Sequence, residues 1–204
     1  MLDAALIREC ADPSLSPAVI ERFVNAAGSP DPLTVTVRQG GRLILIPRAT
    51  KPEAALAIVR DYSGKAVIRV GLTQKPAGIG VTDPSALTAD LFDPCSNLRS
   101  GTAIFAKVMR IVAKWYGNPR GKEAELQILD DAIYAWKLGE FEGANIFRAD
   151  DPNPAAKLEA PPSKVRGEDP GSEPPETAAP KRSAKADDPG TSEIRIDLSR
   201  IEGN

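Results

Sequence analysis

The sequence predicts a mainly α, α+β domain that contains a small β-hairpin and is followed by a disordered tail. Apolar residues recur at helical spacing in five segments between residues 2 and 138. Two short aliphatic runs flank a Gly-Gly pair, as they do in a hairpin. All ten aromatic residues lie between Phe23 and Phe147, whereas nine of the 19 prolines follow residue 150. A core can therefore form only in the first three quarters of the chain.

Two helices are expected before residue 28. The first spans Leu2–Cys10, and the second begins at Pro17, where proline suits the first helical position and Ser16 can cap the free N–H groups. The second helix must stop by Gly28, because a glycine and two prolines within five residues form a rigid turn. This turn is expected to fix the position of Ala27 at the edge of any cleft that the second helix borders.

A β-hairpin and a third helix are expected next. Residues 34–37 and 43–46 are β-branched and aliphatic runs on either side of the Gly-Gly turn. A helix then begins near Pro52 and continues to Tyr62, and a short extended run covers residues 66–70.

After a loop rich in glycine and proline, the two longest helices are expected. The first begins at Asp93-Pro94, and the second runs from about Lys122 to Leu138 and is stopped by Gly139. The inward residues of the helix that begins at Asp93-Pro94 are Leu98, Gly101, Phe105, Val108, Val112 and Trp115. Its basic residues are expected on the solvated face: Arg99, Lys107, Arg110 and Lys114. The inward residues of the second are Leu126, Leu129, Ile133 and Trp136.

These elements divide the chain into three parts. Residues 1–149 form the predicted domain, residues 150–191 a disordered linker rich in proline, alanine and charge, and residues 192–204 a short terminal motif. In the motif, Ile194, Ile196 and Leu198 alternate with polar residues, and Ile201 follows. We expect it to bind a partner as an added strand, while a chance cluster or an intramolecular contact stays an equal alternative.

Composition excludes several classes of function. The net charge of −2 gives no reason to expect nucleic acid as a partner. The longest strongly apolar run has four residues, too few for a membrane span. Because the chain has no histidine, Ser-His and Cys-His nucleophiles and most zinc sites are excluded. We expect neither a metal nor a cofactor.

Five short motifs follow one another in a recognisable order. They are Pro32-Leu33, Gly40-Gly41-Arg42-Leu43, Gly71-Leu72-Thr73-Gln74, Asp93-Pro94-Cys95-Ser96-Asn97-Leu98-Arg99-Ser100-Gly101 and Ala135-Trp136-Lys137-Leu138-Gly139. Their order resembles the lytic transglycosylases of type IV secretion systems, over about residues 4 to 147. More closely, the chain is similar to plasmid conjugal transfer proteins that are divergent relatives of these enzymes. The resemblance implies a lysozyme-like domain.

The resemblance also implies that the catalytic acid is lost. In the active family a glutamate ends the second helix and protonates the glycosidic oxygen between peptidoglycan sugars. That glutamate falls on Ala27, whose methyl group has no proton to give. The family's Tyr-Asn pair is replaced by Trp136-Lys137 as well. Asp31 is a weak substitute acid, because the turn is expected to leave it exposed and pointing elsewhere.

Three residues match the sugar cleft of the family. Gln74 lies in the matching Gly-Leu-x-Gln motif, although a glutamine in a loop is often simply solvated. Tyr134 and Trp136 would border the cleft in the family's geometry, although a tryptophan on an inward helix face is more often part of the core.

Two functions follow from this resemblance. The first is a catalytically inactive, transglycosylase-like accessory protein of conjugal transfer that binds peptidoglycan or a component of the secretion system. The alternative is an active murein lytic transglycosylase that opens the cell wall for the conjugation apparatus.

The resemblance further implies a disulfide between Cys10 and Cys95, the only two cysteines. Two reduced, buried thiols are the alternative. The disulfide would place the protein in the periplasm, whereas the absence of a signal-peptide pattern at the N-terminus favours the cytoplasm.

Overall fold

A computed structural model of the chain describes residues 3–78, 81 and 83–154. Its helices are α1 (Ala4–Cys10), α2 (Pro17–Ala27), α3 (Pro52–Tyr62), α4 (Pro94–Trp115) and α5 (Lys122–Leu138). Its strands are β1 (Val35–Gln39), β2 (Arg42–Ile44), β3 (Val67–Val70), β4 (Lys75–Pro76), β5 (Glu140–Phe141) and β6 (Ala144–Asn145). The predicted mainly α, α+β class is confirmed, while its lysozyme-like assignment stays a prediction. The linker beyond residue 154 and the terminal motif lie outside the described residues.

The predicted helix ends agree closely with the structure. The Ser16 hydroxyl accepts a hydrogen bond from the backbone N–H of Val19, and Pro17 is the first residue of α2. The Asp93 carboxylate accepts from the N–H of Ser96 at 2.8 Å and so caps α4. Gly139 adopts a left-handed conformation with φ of 88° at the end of α5. Each of these signals is local, so the sequence was sufficient to find it.

The helical core is built around α4, which packs against α1 and α5. The rings of Phe23 and Phe105 stack with their centroids 3.9 Å apart. The indole of Trp136 meets the Phe23 ring edge-on at 5.0 Å and the Phe105 ring at 5.9 Å. All three side chains are fully buried. They join α2, α4 and α5 into one apolar cluster.

The predicted hairpin is part of a larger antiparallel sheet with the strand order β2-β1-β3-β4. Val37 lies opposite Ile44 on β2 and Ile68 on β3. These three side chains belong to a second apolar cluster, which includes Val59 of α3. The other face of β1 therefore points away from α3. Residues 75–76 were expected in a loop but pair with β3, because the turn before them returns the chain to the sheet.

Two side chains of α4 differ clearly in burial from the prediction. Trp115 was expected in the core, but it is 56% exposed. It is the last residue of the helix, and its ring meets Phe141 edge-on at the surface, with centroids 5.6 Å apart. Arg110 was expected on the solvated face, but it is buried. Its guanidinium binds the Asp151 carboxylate through two hydrogen bonds of 2.9 and 2.5 Å.

The chain that follows β6 packs back onto α4. The Lys107 ammonium, also expected in solvent, donates hydrogen bonds to the carbonyls of Phe147 at 3.1 Å and Ala149 at 2.9 Å. Together with the ion pair at Asp151, these contacts hold residues 147–151 against the helix. The predicted division at residue 149 stays a prediction, and the contacts of the folded part extend to Asp151. On α5, the predicted inward residue Leu126 is only half-buried.

No helix among the described residues has the length and apolar character needed to cross a membrane.

Candidate functional site

An open groove of about 450 Å³ lies where the end of α2 meets the sheet and the last turn of α5. Its wall includes Ala27, Gln74 and Trp136, three of the positions that the sequence singled out. The groove is lined by Ala26, Ala27, Gly28, Ser29, Pro30, Thr34, Thr36, Arg38, Arg69, Gln74, Trp136 and Lys137.

Ala27 is the last residue of α2 and lies on the lip of this groove. The backbone after it is held tightly, because the N–H of Ser29 donates to the carbonyl of Leu72 at 2.9 Å. A Cβ at Gly28 would lie only 2.2 Å from the same oxygen, so glycine is required there. The turn therefore keeps Ala27 at a fixed place, and a methyl group occupies the position where the resemblance expects a carboxyl group.

The turn that contains Gln74 is held against the start of α4. A Cβ at Gly71, whose φ is 72°, would lie 2.1 Å from the amide of Asn97. A Cβ at Gly101 on α4 would lie 2.1 Å from the hydroxyl of Thr73. Both glycines thus allow backbone and side chain to approach closely. The motifs around residues 71–74 and 93–101 are explained by this contact between turn and helix.

Gln74 is buried and has both ends of its amide hydrogen-bonded. Its Oε1 accepts from the Thr36 hydroxyl at 2.7 Å, and its Nε2 donates to the Gly71 carbonyl at 2.9 Å. Its backbone φ of 49° is uncommon for a residue other than glycine. The simple alternative of a solvated loop glutamine is therefore wrong, and the amide forms an ordered part of the groove wall. A role in binding sugar stays a prediction.

The two aromatic positions predicted for the cleft are separated in the structure. Trp136 is fully buried, and its indole N–H donates to the carbonyl of Thr73 at 3.2 Å, so it supports the groove from below. Tyr134 is 63% exposed and lies in a different hollow, beside Tyr116 and Asp131. Tyr134 and Trp136 are two positions apart on α5, so their side chains point in directions that differ by about 200° around the helix. They therefore cannot both face one groove. Tyr134 therefore does not line the groove beside Ala27, and its predicted role in binding sugar stays a prediction.

Asp31, the predicted substitute acid, lines a neighbouring hollow of about 390 Å³. Its carboxylate accepts hydrogen bonds from Nε of Arg48 at 3.1 Å and from the terminal nitrogen at 2.8 Å. It also accepts from the backbone N–H of Leu33 at 2.9 Å. The side chain is 25% exposed, so the expectation that it is exposed was wrong, because Arg48 covers it.

Cationic side chains line the groove, and no carboxylate does so among the described residues. The Arg69 guanidinium donates to the carbonyl of Trp136 at 2.6 Å and to that of Lys137 at 3.2 Å, at the negative end of α5. Burial, and secondarily the charge of Arg38, lower the pKa of Arg69 to about 10, which leaves it charged at neutral pH.

Arg38 and Arg69 are absent from the predicted site residues. A signal for one of them exists in the sequence, since Thr36 and Arg38 alternate with Val35 and Val37 and so share the polar face of β1. Nothing local indicates that Arg69 joins them, because that depends on the pairing of β1 with β3.

The structure contains the predicted disulfide between Cys10 and Cys95. It joins the last residue of α1 to the first turn of α4, with the Cα atoms 5.1 Å apart. The predicted partner-binding residues Ile194, Ile196, Leu198 and Ile201 lie outside the described residues. In the part of the chain that the structure describes, no group of three or more acidic or cysteine side chains is placed to hold a metal ion.

Comparisons with known proteins agree with one part of the resemblance. The family model TraH_2 matches residues 1–203. A protein of Sinorhizobium fredii (strain NBRC 101917 / NGR234), named Uncharacterized protein y4dP, is 55% identical over 203 residues, with 100% of both chains covered. No solved structure matches the chain. The relationship to lytic transglycosylases stays a prediction, whereas the similarity to conjugal transfer proteins is confirmed. The chain belongs to the TraH_2 family and is a conjugal transfer related protein.

Proposed function

We propose that this protein is a non-catalytic accessory component of the type IV secretion system used in conjugal transfer. In this proposal the groove beside Ala27 binds a ligand without cleaving it. The observation that supports the proposal best is an open groove in which the described lining residues include two arginines, a lysine and no acid.

Glycoside cleavage sets chemical requirements that this groove does not meet. A general acid must hold its proton near neutral pH, which requires a carboxyl group with a raised pKa in an apolar setting. Arg38, Arg69 and Lys137 create the opposite setting, because nearby positive charge favours the ionised carboxylate. The groove thus lacks the acid at Ala27 and also the surroundings that would keep such an acid protonated.

The ligand in this proposal is a secretion-system component or peptidoglycan. Membership of a conjugal transfer family supports the first of these classes. Peptidoglycan rests on the resemblance to transglycosylases, and so does the lysozyme-like domain over residues 1–149. A periplasmic location fits the Cys10–Cys95 disulfide, because such bonds persist in oxidising compartments.

The alternative is an active murein lytic transglycosylase that uses Asp31. The hydrogen bonds weigh against it, since both oxygens of the Asp31 carboxylate are already engaged, one by Arg48 and the other by the backbone N–H of Leu33. Asp31 also lines the neighbouring hollow rather than the groove beside Ala27.

A gel that contains peptidoglycan tests the proposal. The purified full chain is expected to leave the gel uncleared, while an active lysozyme clears it. A cleared band that disappears in Asp31→Asn would overturn the proposal in favour of the alternative.

The Ala27→Glu variant sharpens this test. We expect it to remain inactive, because the cationic groove would hold the new carboxyl group ionised. Clearing by Ala27→Glu would mean that only the acid is missing and that the groove has kept the rest of the catalytic geometry.

A further inference from the structure

The face of the sheet that borders the groove combines positive charge with exposed aliphatic side chains. Arg38 lies directly opposite Leu43 on β2 and Val67 on β3. Residues that pair directly across strands point to the same face of the sheet, so the three form one row. Leu43 and Val67 are each 58% exposed. Thr36 and Arg69 form the next row of the same face and line the groove.

The positive charge of this face is not neutralised within the described part of the chain. The ion pairs found there are Arg22–Asp130, Arg48–Asp31 and Arg110–Asp151. Arg38, Arg69 and Lys137 belong to none of them. Arg69 binds carbonyl oxygens, which orient its guanidinium without removing the charge. A protein with a net charge of −2 therefore has a local concentration of positive potential at this groove.

This combination favours a peptide over a glycan as the ligand. Trp136, the aromatic residue of the groove, is fully buried and offers no open ring face for a sugar to stack on. Leu43 and Val67 instead offer aliphatic contacts beside the charge of Arg38. An extended chain presents side chains with a period of two, so aliphatic and acidic residues of one segment can meet such a face together.

We propose that the groove and the adjoining sheet face bind an extended acidic segment of a partner protein, with its carboxylates at Arg38 and Arg69 and its aliphatic side chains against Leu43 and Val67. This inference rests on the proposed function, because it names the class of ligand that the non-catalytic groove takes. Charge complementarity selects the segment, and the aliphatic row adds apolar contact.

Fluorescence anisotropy with the full, oxidised chain tests this proposal. The probe is a short labelled peptide in which glutamate and valine take turns at every second position, with serine between them, so that both side chains face the same way in an extended chain. The matched peptide has lysine in place of every glutamate. The acidic peptide is expected to bind, with an affinity that falls as NaCl is raised, and the lysine peptide is not.

Two variants with the same charge change locate the binding site. Arg38→Glu is expected to weaken binding of the acidic peptide by roughly tenfold or more. Arg42→Glu is the matched control, because Arg42 is also an exposed arginine of this sheet. It pairs with Gln39, the residue that follows Arg38 on β1. Its side chain therefore belongs to the opposite face, and binding is expected to change by less than about twofold. Thermal unfolding of both variants checks that each is folded.

Several results would overturn the proposal. They are equal binding of the lysine peptide, equal effects of the two arginine variants, and no binding of the acidic peptide. Binding of soluble peptidoglycan fragments that depends on Arg38, without binding of the acidic peptide, would assign the groove to a glycan instead. These failures differ from that of the proposed function, which a cleared peptidoglycan gel alone would signal.

Discussion

Asn97 on α4 accepts two hydrogen bonds from Thr73, one from its backbone N–H at 3.0 Å and one from its hydroxyl at 2.9 Å. The Asn97 amide also donates to the carbonyls of Val70 at 3.1 Å and Leu91 at 2.9 Å. This side chain is fully buried, and all of its polar groups are paired. It therefore holds the turn that contains Gln74 against the helical core.

Replacing Asn97 should destabilise the fold strongly. Asn97→Ala leaves four hydrogen-bonding groups of its partners without this side chain, and we expect the free energy of unfolding to fall by about 2–4 kcal/mol. Urea unfolding followed by circular dichroism measures the change. Asn25→Ala, at an exposed position of α2, is the control and should cost less than about 0.5 kcal/mol. An unchanged unfolding midpoint in Asn97→Ala would contradict this account of the turn.

The disulfide should contribute a large part of the stability. Cys10 and Cys95 are separated by 85 positions, and in the chain-entropy model a loop of this length stabilises the folded state by about 4–5 kcal/mol. Paired replacement by serine should therefore lower the unfolding midpoint in urea strongly. Reductant should lower the midpoint of the unmodified chain and leave that of the double serine variant unchanged.

Thiol labelling of protein taken from its own cells tests the compartment. If the protein is periplasmic, mass spectrometry without prior reduction should find neither cysteine labelled. Two labelled thiols would remove both the bond and the argument for the periplasm.

The ion pair between Arg110 and Asp151 predicts a pH dependence of stability. Hydrogen bonding from Arg110 is the main cause that holds the pKa of Asp151 below its usual range. The folded state is therefore stabilised fully above the ordinary aspartate pKa of about 3.9, and this contribution is lost as the pH falls through the lowered pKa. Asp151→Asn should destabilise the protein by about 2 kcal/mol at pH 7.

The difference in unfolding free energy between Asp151→Asn and the wild type should shrink as the pH is taken below about 4, since the wild-type carboxylate then becomes protonated. Urea unfolding of both proteins over a range of acid pH measures it. Asp130→Asn, whose partner Arg22 has a side chain that is 45% exposed, is the control and should have a smaller effect at pH 7. If the difference in unfolding free energy between Asp151→Asn and the wild type does not depend on pH, the ion pair with Arg110 is not its cause.

The C-terminal motif can be tested apart from the folded domain. Deletion of residues 192–204 removes the alternating aliphatic residues, and we expect conjugative transfer and recovery of secretion-system components in pull-downs to fall. The thermal midpoint of the domain serves as the control and should not change. Unaltered transfer and pull-down would show that the motif is not a recognition segment.

The sequence by itself determined the helices, their ends and the hairpin. Ser16 caps α2, Gly139 ends α5, and the Gly-Gly pair turns between β1 and β2, because each signal acts within a few residues of the chain. The pairing of the two cysteines was also predicted, through the resemblance, and the structure contains it. The loss of a catalytic acid at Ala27 stays a prediction.

The tertiary structure alone decided which side chains meet in the groove. Arg38 and Arg69 are neighbours only because β1 pairs with β3, a contact between residues far apart in the sequence. Burial of Arg110 likewise depends on the return of Asp151 to α4, and the rotation of α5 sends Tyr134 to another surface than Trp136. The spacing of apolar residues in the sequence indicates which face of each helix or strand is apolar. Where the polar side chains lie depends on how these elements pack against one another.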